Sequence, residues 1–146
     1  HGAAAGYPHL KATPGSVMVS TSSAAGIYAS AGMSVYSATK FGVRALTESL
    51  DREWAADGIR ARTIMPSFID TPLLDSVTSG SNATIRETVR AAGLEFTALD
   101  VVAQAVWDAA HGKRVHTVVG KTARRLKFAV TFAPWLLPKR LAGRRR

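Results

Sequence analysis

Short apolar segments that alternate with helical patterns constrain the fold of this chain most. The valine-rich run "SVMVS" covers residues 16–20, "IRARTIM" covers 59–65 and meets a proline, and "HTVVG" covers 116–120. Between these runs, apolar residues recur at three- and four-residue spacing over about 34–56 and again over 101–112. Strands joined by crossover helices are typical of a parallel sheet. We therefore predict an α/β fold with a doubly wound parallel sheet, and three strands are few enough to suggest missing neighbours.

Turn and capping signals organise the remaining segments. Residues 2–12 have the small apolar composition of a helix, which the turn "TPG" closes. Residues 67–96 are expected to be mostly loop, with one short helix around 83–92. Thr97 is expected to cap the following helix, because Asp100 stands three residues later, as in a capping box.

The excess positive charge of the chain is confined to its end. Residues 1–120 contain ten Lys or Arg and ten Asp or Glu, whereas residues 121–146 contain nine Lys or Arg and no acidic residue. We therefore predict an α/β body over 1–120 and a basic, amphipathic tail over 121–146. Because the body is neutral, the net charge of +9 does not indicate a nucleic-acid-binding domain, and we expect no nucleic-acid partner.

The tail "KTARRLKFAVTFAPWLLPKRLAGRRR" combines aromatic residues with flanking cations. Its apolar stretch is about half the length that crosses a bilayer. This composition suits a helix that lies in the interface of an anionic membrane. It also suits a helix packed on the body or on a partner subunit, with a disordered arginine end, and nucleic-acid binding is a third alternative. The sequence leaves these alternatives open.

Residue content limits the chemistry and the compartment. The chain has no cysteine, which excludes disulfides and cysteine-based metal sites and fits a reducing compartment. Its four histidines show no metal-ligand spacing, and we expect no metal site. No apolar run is long enough to cross a bilayer, and no secretory signal pattern is present. We therefore expect a cytoplasmic protein, with membrane-surface contact through 121–146 as an alternative.

The segment "YSATK" places Tyr36 and Lys40 four residues apart in the long helical pattern. Such positions share one helix face, with Cβ atoms about 5–6 Å apart. A nearby ammonium favours the phenolate form of a tyrosine, which can exchange a proton with an alcohol or a carbonyl oxygen. A hydroxyl such as that of Ser23 can hold the same oxygen. A redox role would require a nicotinamide cofactor as hydride donor, and the bare pair is also compatible with a half-buried tyrosine beside a solvated lysine.

Three motifs, in this order, resemble the short-chain dehydrogenases/reductases. "SSAAG" over 22–26 is similar to the family's serine loop, and its Ser23 stands thirteen residues before Tyr36, as the family's serine does before the tyrosine of YxxxK. "PSFIDT" over 66–71 is similar to the family's PGxxxT segment after the next strand. The resemblance covers about residues 1–120. It implies a Rossmann-like fold and an NAD(P)-dependent oxidoreductase that interconverts an alcohol and a carbonyl.

The resemblance also implies roles for individual residues. Tyr36 would be the catalytic acid/base, and Ser23, favoured over Ser22 by its spacing, would orient the substrate oxygen. Lys40 would favour the phenolate and bind the ribose hydroxyls of the cofactor. The predicted cofactor-binding set consists of Tyr36, Lys40, Pro66, Ile69 and Thr71. Ser67 stands where the family usually has glycine, which a serine can replace easily only if the backbone φ is negative.

Two parts of the family pattern are missing from the sequence. We find no glycine-rich turn after a first strand and no "NAG" segment with its asparagine. We therefore expect the chain to be similar to the C-terminal half of the domain and to be inactive alone. The choice between NAD and NADP stays open. For the full-length protein we expect a small-molecule substrate and a homo-oligomer, and the alternative functions are a non-catalytic Rossmann-like scaffold or a membrane-surface adaptor.

Overall fold

The computed structural model describes residues 1–77 and 82–137. Its strands are β1 (Val17–Thr21), β2 (Arg60–Pro66), β3 (Phe68–Ile69), β4 (Phe96–Thr97) and β5 (His116–Val119). Its α-helices are α1 (Gly2–Lys11), α2 (Ser34–Glu53), α3 (Ile85–Ala91), α4 (Leu99–His111) and α5 (Lys121–Phe132). Short 3-10 turns cover Ala24–Gly26, Ala55–Asp57, Pro72–Asp75 and Pro134–Leu136. This alternation of strands and helices confirms the predicted α/β class.

The three predicted strands form one parallel sheet in the order β1-β2-β5. Val17 pairs with Arg60 at one side of the central strand, and Thr63 pairs with His116 at the other. A second parallel pair joins β3 to β4, with Phe68 opposite Phe96. The expectation of a mostly unstructured loop over 67–96 was therefore wrong at both ends of that segment. Strands of two residues are too short for an alternating pattern to be visible in the sequence.

Apolar side chains pack on both faces of the sheet. Ala61 lies in a cluster with Leu50, Trp54 and Ile59, against which residues of α1 also pack. Ile64, three residues further along β2, lies in a separate cluster with helix α4. Because successive strand residues point to opposite faces, these two clusters lie on opposite sides of the sheet. Helices therefore cover both faces, as predicted for a doubly wound sheet.

The helix boundaries follow some of the predicted signals and not others. Gly58 has the left-handed conformation predicted for it, with φ of 71°, and it ends the Ala55–Asp57 turn that follows α2. The predicted cap at Thr97 was wrong: Thr97 belongs to β4, and α4 starts after Ala98 without a side-chain cap. The capping box lies instead at Thr84, whose side chain accepts the backbone N–H of Glu87 while the Glu87 carboxylate accepts that of Thr84.

The tail begins as a helix on the body. Helix α5 contacts β5 and the turn at Ala24–Gly26, and it buries Ala123 against them. A carboxylate oxygen of Glu95 accepts the backbone N–H of Thr122 at 2.9 Å, which caps the first turn of α5. The end of the predicted tail, 138–146, lies outside the described residues. Among the helices described, none has both the length and the apolar character to cross a membrane.

Candidate active site

The carboxyl ends of the three parallel strands meet at one edge of the sheet. Strand β1 ends at Thr21, β2 at Pro66 and β5 at Val119, and Pro66 pairs directly with Val119. In open α/β sheets, ligands bind in the crevice at this edge. The predicted site residues lie just after β1 and β2 or on the helix that follows β1. The candidate active site therefore lies at this edge of the sheet.

Ser22 and Ser23 have different surroundings after strand β1. Ser22 is 2% exposed, and its hydroxyl donates a hydrogen bond to the Lys40 carbonyl oxygen at 2.7 Å. Ser23 is half-buried in extended conformation, and its Oγ accepts the backbone N–H of Ala25 at 3.2 Å. The hydroxyl of Ser22 is thus committed to joining the loop to α2. This contact supports Ser23, and not Ser22, as the candidate for holding a substrate oxygen.

Gly26 allows the serine loop to lie against helix α2. A Cβ atom on Gly26 would stand 2.5 Å from the Ser22 hydroxyl oxygen and 2.8 Å from the Lys40 carbonyl oxygen. Both distances are far below ordinary contact, so a side chain here would push the turn away from the helix. The small residues of "SSAAG" therefore have a local structural cause: they bring the serine loop onto the turn of α2 that carries Lys40.

Tyr36 and Lys40 lie on the first two turns of α2. The Tyr36 side chain is accessible, at 45% exposure, and the Lys40 ammonium lies 5.6 Å from the centre of its ring. Lys40 Nζ also donates a hydrogen bond to the carbonyl oxygen of Thr21 at 3.1 Å. The ammonium is thereby fixed between the last residue of β1 and the tyrosine. A lysine has three donors, so two remain for a ligand.

The loop after β2 carries the other predicted residues. Pro66 is the buried last residue of β2, and Ile69 in β3 packs against the cluster around Ile64. Thr71 is half-buried in extended conformation before the Pro72–Asp75 turn. No hydrogen bond within the described residues joins these three to Tyr36 or Lys40. The structure places the two sets at the ends of neighbouring strands, where a ligand could touch both.

Arg86 holds the loop after β3 in place, a role that the sequence analysis did not predict. Its guanidinium forms ion pairs at 2.6 Å with both Asp70 and Asp75, and it donates a hydrogen bond to the Thr71 carbonyl oxygen at 3.2 Å. The hydrogen bond from Arg86 holds the pKa of Asp75 below its ordinary value, and the pKa of Arg86 itself is raised. Both carboxylates remain largely exposed but are positioned by Arg86.

The serine that replaces the family's glycine is accommodated without backbone strain. Ser67 has negative φ, as do all other non-glycine residues that the structure describes. Its hydroxyl is buried, as is that of Thr97 across the sheet edge, and neither has a hydrogen-bond partner within the described residues. Gly120, with φ of 91°, passes between them: a Cβ there would stand 2.8 Å from Thr97 Oγ1 and 3.7 Å from Ser67 Cβ.

Two of the four histidines, His111 and His116, have structural partners away from this edge. His111 ends α4, where its ring packs against Trp107, and His116 Nε2 lies within hydrogen-bond distance, 2.7 Å, of a carboxylate oxygen of Glu48. The hydrogen bond from His116 contributes most to the lowered pKa of Glu48. Over residues 1–77 and 82–137, no group of three His, Cys, Asp or Glu side chains could hold a metal ion.

A cavity of about 530 Å³ lies between α5 and the segment before β4. Its lining includes Leu94, Glu95, Lys121 and Arg125 and none of the predicted site residues. The cavity therefore does not mark the predicted active site.

The family model of the short chain dehydrogenases matches residues 1–82, more than half of the chain. A tropinone reductase homolog of Arabidopsis thaliana is 42% identical over 71 residues, which are 49% of this chain and 27% of that protein. In fold, the chain is similar to a short chain dehydrogenase of Burkholderia cenocepacia in complex with NADP, with a TM-score of 0.72 and 23% identity over 94% of this chain and 51% of that one. A short chain dehydrogenase/reductase of Burkholderia phymatum in complex with NAD gives a TM-score of 0.67 at 22% identity, over 85% of this chain and 51% of that one.

These matches show that the chain belongs to the short-chain dehydrogenase/reductase family. The chain covers about a quarter of the length of the first curated relatives and about half of the solved chains.

Proposed function

We propose that the full-length polypeptide containing this sequence is an NAD(P)-dependent oxidoreductase that interconverts an alcohol and a carbonyl. In this proposal, residues 1–120 are the C-terminal half of its Rossmann-like domain and 121–146 are a basic tail. The contact that supports it most is the Lys40 ammonium held between the Thr21 carbonyl oxygen, at 3.1 Å, and the ring of Tyr36. A cation fixed beside an accessible phenol is suited to proton transfer.

Tyr36 acts as the general acid/base in this proposal. The phenol gives its proton to a carbonyl oxygen during reduction and accepts one from an alcohol during oxidation, with the Lys40 ammonium beside the ring. A nicotinamide cofactor, when bound, supplies or accepts the hydride. Ser23 donates its hydroxyl to the same substrate oxygen and thus fixes its distance from Tyr36.

The residues at the sheet edge fit the nicotinamide end of such a cofactor. The two free donors of Lys40 can bind the ribose hydroxyls. Pro66, Ile69 and Thr71 form one wall after the neighbouring strand, where Ile69 offers an apolar surface and Thr71 a hydroxyl. Because NADP and NAD each occur in a structural neighbour, we propose either dinucleotide as the cofactor.

We further propose a homo-oligomer that acts on a small-molecule alcohol or carbonyl in the cytoplasm. Helix α2 supports self-association, because Val35 and Leu46 expose more than half of their surface on a helix that also carries the half-exposed ring of Phe41.

The replacement of Lys40 by methionine tests this function in the full-length polypeptide. Lys40→Met keeps an unbranched side chain but removes the charge and the ribose donors. We expect both weaker dinucleotide binding, measured by calorimetry, and a lower rate of dinucleotide-dependent turnover. Lys113, an exposed lysine of the body, provides the matched control, and Lys113→Met should leave both unchanged. A Lys40→Met protein with normal affinity and rate would favour the scaffold function instead.

A further inference from the structure

Helix α5 carries apolar side chains on two opposite faces. Ala123 is buried, Leu126 and Ala129 are half-buried, and Ala133, just after the helix, is also buried. Phe128 and Phe132 instead expose 60% and 65% of their surface. At about 100° per residue, Phe132 points roughly 180° away from Ala123. The face with small residues holds the helix on the body, so the phenylalanine face is not needed for folding of the described chain.

The turn that follows α5 also exposes large apolar side chains. The rings of Phe128 and Phe132 lie 5.3 Å apart, so they form one apolar surface. Trp135 and Leu136 in the following turn are 69% and 71% exposed. Large exposed apolar side chains concentrated in one short segment of this kind suit a binding site for another molecule. We call Phe128, Phe132, Trp135 and Leu136 the aromatic ridge.

Unpaired cations surround the aromatic ridge. Arg124 and Arg125 precede Phe128 by four and three residues, which puts them on the same side of α5. With Lys121 and Lys127 they are exposed, and none of the four pairs with a carboxylate within the described part of the chain. The whole segment 121–146 has nine cations and no acid. The partner of this surface must therefore be both anionic and apolar.

We propose that α5 and the Pro134–Leu136 turn bind the surface of an anionic phospholipid bilayer. The aromatic ridge enters the interfacial region, where tryptophan and phenylalanine side chains are favoured, and the cations lie at the level of the lipid phosphates. A second copy docked through the same face would oppose two cationic surfaces, which disfavours a symmetric dimer there. Nucleic acid would satisfy the charge but not the aliphatic Leu136.

Vesicle co-sedimentation of the full-length polypeptide tests the apolar half of this proposal. We expect binding to phosphatidylcholine vesicles that contain about 30% phosphatidylserine, and none to phosphatidylcholine alone. Phe128→Ser with Phe132→Ser should lower the partition coefficient at least about tenfold. Trp107→Ser is the control: it removes an aromatic residue of α4 that is 64% exposed, and it should leave the partition coefficient unchanged.

Substitutions of exposed cations, which should not disturb folding, test the electrostatic part of the proposal. Arg124→Gln with Arg125→Gln should weaken binding about 30-fold, because each cation near an anionic surface contributes about a factor of five. Lys113→Gln with Arg114→Gln, an exposed pair in the body, is the matched control. Raising the salt to about 1 M should also release the protein. Absence of binding to anionic vesicles would overturn the proposal, and so would equal binding of all variants. A protein that binds no vesicles but forms a dimer, which Phe128→Ser with Phe132→Ser dissociates, would also overturn it.

Discussion

Ser22 and Ser23 are adjacent in the sequence, yet the structure gives their hydroxyls different partners. Ser22 donates to the Lys40 carbonyl oxygen from a buried position, whereas Ser23 begins the turn at the sheet edge. Spacing alone favoured Ser23, since it counts residues to Tyr36, but it could not say what Ser22 does. The answer depends on a hydrogen bond across 18 residues, which no local pattern encodes.

Two alanine substitutions should separate these roles in the full-length polypeptide. Ser22→Ala removes a buried hydrogen bond, so it should lower the free energy of unfolding by about 1–2 kcal/mol and leave kcat nearly unchanged. Ser23→Ala should lower kcat about 10²-fold with cofactor affinity intact, because one donor to the reacting oxygen is lost, and it should cost at most about 1 kcal/mol of stability from the lost hydrogen bond with Ala25. Urea unfolding and steady-state kinetics measure the two effects. A larger loss of kcat in Ser22→Ala than in Ser23→Ala would reverse the assignment.

Position 26 requires glycine because the turn packs closely on α2, and the effect on stability can be measured. Gly26→Ala would place a Cβ within 3 Å of the Ser22 hydroxyl and the Lys40 backbone, so we expect a loss of about 1–3 kcal/mol in the free energy of unfolding. Gly42→Ala, on the neighbouring helix α2, is the control: its Cβ meets no atom within 4 Å, and alanine should stabilise the helix by about 0.5–1 kcal/mol. Urea unfolding should therefore show a lower free energy of unfolding for Gly26→Ala and a higher one for Gly42→Ala. Equal effects at both positions would contradict the packing described here.

At the scale of elements, the sequence predicted the helices and the three strands of the main sheet, including the short helix around 83–92, and missed the two strands of two residues. The apolar runs and helical spacing of the sequence located the three strands and helices α2 and α4, and turn and composition signals located α1 and α3. Strands β3 and β4 were missed because their pairing is non-local. The capping box was assigned to Thr97, although the box lies at Thr84, because both positions have a threonine followed three residues later by an acid. Thr84 is followed by Glu87, the residue type that closes a capping box, whereas Thr97 is followed by the shorter Asp100 and pairs in β4.

The loop after β3 was predicted to contain cofactor contacts, but not the arginine that holds it. Asp70 and Asp75 are joined by Arg86 from 16 and 11 residues away. Ion pairs between a loop and the helix after it leave no periodic signal. Nothing in the spacing of these three residues therefore indicated the contact.

Removal of Arg86 should loosen the loop in a pH-dependent way. The lowered pKa of Asp75 means that the pair stabilises the folded state above the ordinary pKa of an aspartate, and that this contribution disappears as the pH falls through the lowered value. The difference in stability between wild type and Arg86→Gln should therefore be constant above about pH 5 and shrink below it. The KM for the dinucleotide should rise about two- to fivefold, because the loop carries proposed cofactor contacts. The rise should be no larger, because exposed ion pairs contribute little free energy.

Urea unfolding across this pH range, with steady-state kinetics at neutral pH, provides the measurement for Arg86. Arg52→Gln, which removes an exposed arginine of α2, is the control and should show neither effect. A stability difference that grows as the pH falls would contradict the interaction with Asp75.

At the scale of the whole molecule, the fold brings together motifs that lie far apart in the sequence. The serine loop, the first turns of α2 and the loop after β2 converge because β1 and β2 are parallel neighbours. This convergence could be predicted from the alternation of strands and helices together with the family resemblance. The position of α5 could not be predicted, since it depends on Glu95 capping its first turn and on alanines that fit against the body. Composition alone does not show which face of the tail is free.

Replacement of Tyr36 by phenylalanine tests the central claim most directly. The substitution removes only the phenolic oxygen, and with 45% of the side chain exposed the ring can keep its packing. In the full-length polypeptide we predict a fall in kcat of about 10²–10⁴-fold, with unchanged stability and dinucleotide affinity. Tyr7→Phe provides the matched control: it removes the hydroxyl that donates to Asp57, so stability can change while kcat stays the same. A Tyr36→Phe protein that reduces carbonyls at nearly the wild-type rate would contradict the proposed mechanism.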